Sequence, residues 1–167
     1  MNARSVPLTL EEQRQFLQVA LPGRITMIRE HLGKKTYASM MVVALSSRAV
    51  ASFLGISRDH RTGKLFKDER YYEHDENSSY EVKIADLSGG SLIDPRKLPD
   101  VVQTELAEGI LEANVAFAHL TFWPSSTDQT PSAAATEDYI ERQHSRIQRF
   151  GEAVIALWEI VAKTIKI

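Results

Sequence analysis

Apolar residues recur at helical spacing over most of the chain, and the exceptions fall together in one polar stretch near the middle. Thr9 with Glu12 three residues on has the form of a capping box and predicts a first helix from Thr9 to about Leu21, with Leu10, Gln13, Leu17 and Leu21 in one line and Phe16 and Ala20 beside it. Pro22 suits the first turn of a second helix, in which Ile25, Ile28 and Leu32 form a stripe that Gly33 ends. The segment from Tyr37 to Leu54 is the most apolar. Met40, Met41, Val42, Val43, Leu45, Val50, Phe53 and Leu54 cover most of its circumference, as expected of a central helix closed by Gly55.

From Gly55 to Pro99 the composition turns polar, and no helical stripe is sustained. Tyr80, Val82 and Ile84 alternate with Glu81 and Lys83, the period of a short strand. Its expected partner is Leu65-Phe66 or Arg70-Tyr71-Tyr72, with Asp75-Glu76-Asn77-Ser78 as the turn and Gly89-Gly90 at the end. A helix from near Pro99 to Phe122 follows, because Val102, Leu106, Ile110, Ala113, Phe117 and Leu120 step by three or four residues. Residues 124–135 read as a flexible connection, after which Thr136 caps a long last helix striped by Ile140, Ile147, Phe150, Val154, Leu157, Val161 and Ile165. The expected architecture is mainly α: a single helical-bundle domain over 1–167, of four to five helices, with a small β-hairpin insert over 55–98.

Composition narrows the chemistry more than it names it. The chain has 167 residues and a formal charge of −2, so no strong overall field draws it to nucleic acid or to an anionic membrane. The charge is uneven: seven basic against three acidic side chains lie in residues 1–54, and five against nine in residues 101–167. Any anion site is therefore local. The absence of cysteine excludes disulfides, thiolate nucleophiles and cysteine-ligated metal centres. No run approaches the roughly 20 apolar residues of a membrane helix, and the start lacks a signal pattern, so a soluble, cytoplasmic protein without a membrane partner is expected.

On the fourth helix, Glu105, Glu108, Glu112 and His119 fall in one sector, away from the Leu106–Phe117 seam. Carboxylates beside an imidazole suit a metal ion or a proton-transfer pair, but the spacing is not that of a di-metal bundle and an ordinary solvated face is the expected reading, with no metal site. The segment Asn114-Val-Ala-Phe-Ala-His119-Leu-Thr121 resembles the signature helix of the HEPN-like superfamily. That resemblance implies a four- to five-helix bundle, often a homodimer, acting on RNA without a metal. In such ribonucleases the motif His moves a proton and an Arg four to six residues away holds the phosphate, so His119 and Asn114 are the positions carried over. Glu112, Ala113 and Asn114 occupy every place where that Arg would stand. A carboxylate there repels a phosphate, so Arg48 on the third helix is the candidate substitute cation; pairing of a buried Arg48 with Glu112 is the structural alternative.

Arg142, Arg146 and Arg149 share a face of the last helix and suit contact with a nucleic-acid backbone, or pairing along the helix with Glu137, Asp138, Glu141 and Glu152. His144 reads as a core-edge residue, and Ser46 and Ser47 as small packing residues. Tyr71–Glu76 and Arg58–Lys64 lack the spacing of an ion or phosphate loop and read as hydrophilic loops. No cofactor is called for. The expected function is RNA-directed, as a metal-independent endoribonuclease with an altered motif or an inactive relative binding nucleic acid or a protein partner. A non-catalytic protein-interaction or oligomerisation module is the rival.

Overall fold

A computed structural model describes residues 8–70, 82–118 and 133–165. Its helices are α1 (Leu10–Gln15), α2 (Leu21–His31), α3 (Tyr37–Phe53), α4 (Asp100–Glu112) and α5 (Ala133–Val161). Strands β1 (Ile56–Arg58) and β2 (Leu65–Lys67) pair antiparallel, with Ile56 opposite Lys67 and Arg58 opposite Leu65. The chain is thus a mainly α bundle with a small hairpin, as the sequence predicts.

Local signals set the helix ends. The Thr9 hydroxyl accepts from the Glu12 amide at 3.2 Å, while the Glu12 carboxylate accepts from the Thr9 amide at 2.7 Å, so the capping box forms. Thr36 caps α3 by accepting from the Ser39 amide at 3.1 Å. Gly55 stops that helix at φ 80°, a conformation that only glycine adopts without strain.

α3 is the central element, packing against α2, α5, α4 and β1. The α5 stripe closes the core: Ile147, Phe150 and Val154 are fully buried and meet Ile28, Val43, Val50 and Leu106, also buried, each such side chain stabilising by about 1.5–3 kcal/mol. α4 approaches α5 closely at Gly109, where a Cβ would lie 2.1 Å from Phe150 Cγ. Among the described residues no helix is long and apolar enough to cross a membrane.

Four local expectations need correction. First, the two N-terminal helices are one helical run, joined through a π-helical segment at Phe16–Ala20. Pro22, inside this run, directly follows the π-helical segment, where the regular hydrogen-bond ladder is already interrupted, and the Phe16 and Phe53 ring centres lie 5.2 Å apart. Second, the hairpin partner of Leu65-Phe66 is Ile56–Arg58, not the Val82 segment. Ile84–Asp86 forms a 3₁₀ turn, because Lys83, a polar position in the alternating pattern, is itself fully buried and donates to the Asp68 carbonyl at 3.1 Å. With both Lys83 and Ile84 buried, the period of two is lost. Third, Gly90 ends no strand; it lies against the Ile84 carbonyl, where a Cβ has no room. Fourth, α5 begins at Ala133, so Thr136 lies inside the helix and the last residues of the expected 124–135 connection are helical. Tyr80, the Asp75–Ser78 turn and residues 124–132 lie outside the described residues.

Candidate functional site

The helical period on α3 places Leu45, Arg48, Ala49 and Ser52 along one strip. Opposite stand Ile110 of α4 and Asn114, which belongs to the π-helical segment Ala113–Ala118 continuing α4. The hairpin supplies the third wall through Ile56, Ser57, Arg58, His60 and Phe66, and Arg70 follows β2 at the rim. Together these residues enclose a cavity of about 600 Å³, within the roughly 300–1,000 Å³ usual for small-molecule sites. Three guanidinium groups and an imidazole line it, and none of the described lining residues is acidic.

The cations differ in how they are held. Arg70 donates to the Asp68 carboxylate through Nε (2.8 Å to Oδ1) and Nη2 (3.1 Å to Oδ2), and its guanidinium lies 5.2 Å from the Phe66 ring centre. Asp68 is 1 % exposed. Burial alone would push its carboxyl up. The Arg70 side-chain and backbone hydrogen bonds, the Ser57 hydroxyl and the Lys83 charge outweigh that and leave it below the usual carboxylate value. The guanidinium groups of Arg48 and Arg58, by contrast, have no hydrogen bond or ion pair among the described residues.

The turn that carries His60 is built by its neighbour. Asp59 Oδ1 accepts from the Arg61 and Thr62 amides at 2.8 Å each, the Asp59 amide donates to the Lys64 carbonyl, and the Gly63 amide donates back to the Asp59 carbonyl, both at 2.9 Å. The Thr62 and Arg61 amides also lower the Asp59 carboxyl pKa, so the turn keeps its anion at neutral pH. Arg58 passes over Gly63, where a Cβ would sit 3.0 Å from Nη2. A fixed hairpin end thus presents Arg58 and His60 to the cavity.

Asn114 carries the remaining anomaly. Its Oδ1 is buried with no hydrogen-bond partner, a state that costs about 1–3 kcal/mol for a polar group. It stands in a π-helical turn, a rare geometry that concentrates at functional sites. The cavity therefore joins two residues singled out in the sequence, Arg48 and Asn114; His119 lies outside the described residues.

The other sequence candidates form a separate polar seam. Arg146 donates to Glu112 Oε1 at 2.6 Å and lies 3.6 Å from Glu108 Oε2; Gln143 also donates to Glu112, at 3.4 Å. Glu112 is 9 % exposed, not solvated, because α4 meets α5 closely at Gly109 and brings the carboxylate under Arg146. The Glu112 hydrogen bond holds the Arg146 guanidinium above its ordinary pKa. Glu112 is thus the partner of Arg146 and not of Arg48. Arg149 donates to Ser145 Oγ at 2.7 Å with Glu108 3.9 Å away, and Arg142 is exposed. None of these three arginines lines the cavity. Among the described residues no three His, Asp or Glu side chains gather as for a metal ion. Ser46, Ser47 and His144 are buried, and His144 Nε2 lies 3.4 Å from Gln148 Nε2.

The cavity residues that sequence reasoning passes over are Arg58, His60, Arg70 and Phe66. Arg58 and His60 fall in the basic run Arg58–Lys64, whose reading as a hydrophilic loop holds for Arg61, Thr62 and Lys64, while Phe66 and Arg70 read only as candidate strand residues. No family model, curated protein or solved structure matches this chain, so the reading of the cavity rests on its own geometry.

Proposed function

We propose that the chain is a cytoplasmic, RNA-directed helical-bundle protein of the HEPN-like kind, acting as a homodimer, whose cavity between α3, the Asn114 turn and the hairpin receives the phosphate backbone. One observation carries this reading: Arg48 and Asn114 line the same concave surface as Arg58 and His60, with no carboxylate among the described lining residues. A locally positive cavity on a chain of net charge −2 suits a specific anion rather than general attraction to polyanions. On this reading Arg48 stands in for the missing motif arginine, and His119 moves the proton where cleavage occurs.

The rival, a non-catalytic interaction module, draws on the exposed Leu10 and Val19 of the N-terminal helical run, 71 % and 66 % exposed. A labelled pool of mixed-sequence single-stranded RNA, incubated in EDTA with the wild type, Arg48→Ala and His119→Ala, separates the two. RNA binding by the wild type that Arg48→Ala weakens is the expected result. Cleavage lost in His119→Ala adds the endoribonuclease form, and binding without cleavage leaves the non-catalytic relative. Neither binding nor cleavage by the wild type overturns the RNA reading.

A further inference from the structure

The number of cations in the cavity exceeds what an internal RNA phosphate requires. A phosphodiester carries a single charge, which one guanidinium neutralises. Here Arg48 enters from α3 and Arg58 from β1, on different walls, and neither is neutralised by a carboxylate among the described residues. His60 joins them from the turn, and Arg70 stands at the rim on its own acid, Asp68. Two solvent-accessible guanidinium groups facing one concave space without a counter-charge attract an occupant that brings two negative charges more strongly than one that brings a single charge. A phosphomonoester does so at neutral pH, carrying about −1.5 to −2, with three terminal oxygens to share between cations on different walls.

The rest of the cavity fits the remainder of a nucleotide. Its volume of about 600 Å³ is that of a pocket for a small molecule. Ile56 and Ile110 give it apolar wall, and Asn114 adds a polar amide side chain to the lining, of the kind that pairs with a ribose hydroxyl or a base edge.

We infer that the cavity formed by Arg48, Arg58, His60 and Asn114 recognises the terminal phosphomonoester of a nucleotide, at an RNA end or on a free mononucleotide, in preference to an internal phosphodiester. Arg48 and Arg58 clamp the phosphate, His60 adds a donor from the hairpin turn, and Asn114 meets the nucleoside. This inference rests on the RNA-directed reading of the cavity and specifies which part of the nucleic acid the cavity takes.

Fluorescence anisotropy with one short single-stranded oligoribonucleotide, made with a 5′-phosphate, a 3′-phosphate or hydroxyls at both ends, tests it at fixed salt. The expected result is at least about tenfold tighter binding of one phosphorylated form, the scale of one charge-assisted contact. Arg58→Ala should abolish that preference, whereas Arg61→Ala, which removes the same charge from the same hairpin outside the cavity, should retain it. Circular dichroism confirms that each variant is folded. Competition by adenosine 5′-monophosphate assigns the site to free nucleotides, and its failure to compete assigns it to RNA ends. Equal binding of all three oligonucleotides overturns the phosphomonoester inference while leaving the RNA reading in place. No binding of any of them or of the mononucleotide overturns both. A phosphate preference that survives both Arg58→Ala and Arg48→Ala overturns the assignment to this cavity.

Discussion

The Asp68 carboxylate, 1 % exposed, holds the guanidinium of Arg70 through two hydrogen bonds of 2.8 and 3.1 Å. A buried acid therefore fixes an arginine at the cavity rim, and the same residue's backbone carbonyl anchors the buried Lys83 at 3.1 Å. The segment after β2, the 3₁₀ turn at Ile84 and the cavity rim are thus tied through a single residue.

That relationship predicts a pH-dependent stability. The Asp68 carboxyl titrates below its ordinary value of 3.8 in the folded state. A depressed folded pKa contributes stability that is present above the unfolded pKa and is lost as pH falls through the folded one. Asp68→Asn should lower stability at pH 7 by about 1–3 kcal/mol, since it removes a charged partner from Arg70 and the counter-charge near Lys83. Urea denaturation at neutral pH and again at about pH 3 checks it: the gap between wild type and variant should narrow in acid. A gap of equal size at both pH values contradicts the account.

The seam between α4 and α5 gives a second prediction. Arg146 is partly exposed, with 41 % of its side chain open to solvent, so screening reduces what its 2.6 Å bond to Glu112 contributes. A double-mutant cycle of Glu112→Gln and Arg146→Met should return a coupling of about 0.5–1 kcal/mol in thermal denaturation. Zero coupling would mean that the Glu112–Arg146 pair contributes nothing to holding the two helices together.

Gly109→Ala tests the close approach of α4 to α5. Alanine improves helix propensity by about 1 kcal/mol over glycine, but its Cβ would meet the Phe150 ring at 2.1 Å from Cγ. Overpacking of a rigid aromatic in a filled core costs about 1–3 kcal/mol and should win. A melting temperature lowered relative to wild type is expected. A raised one would show that α4 and α5 are further apart than described.

The elements were legible wherever a local rule decides them. The Thr9–Glu12 box, the Gly55 stop, the Ile25–Ile28 stripe and the four-residue steps through Leu106 and Ile110 are short-range features, and each has its place in the fold. Errors arose where a tertiary partner overrides the pattern. Lys83 reads as a solvent-facing strand residue but is buried because Asp68 supplies a carbonyl for its ammonium group. Glu112 reads as a solvated acid but meets Arg146, 34 positions along the chain. The cavity is assembled from α3, the hairpin and the Asn114 turn, so spacing along one helix cannot reveal it. Arg48 is linked to the Asn114 motif only as a substitute cation, without a distance to support it, and Arg58 and His60 are hidden in a run that reads as a hydrophilic loop.

The central claim is that RNA phosphate is held in the cavity and not on the arginine face of α5. The most direct measurement is the salt dependence of single-stranded RNA affinity for the wild type, Arg48→Ala and Arg142→Ala. Each phosphate contact adds about 0.7 to the slope of log affinity against log salt for a single strand. Arg48→Ala should weaken binding and flatten that slope by about 0.7, while Arg142→Ala, which removes an exposed cation outside the cavity, should leave both near wild type. The opposite pattern, a flattened slope in Arg142→Ala and an unchanged one in Arg48→Ala, would contradict the account and move the RNA to α5.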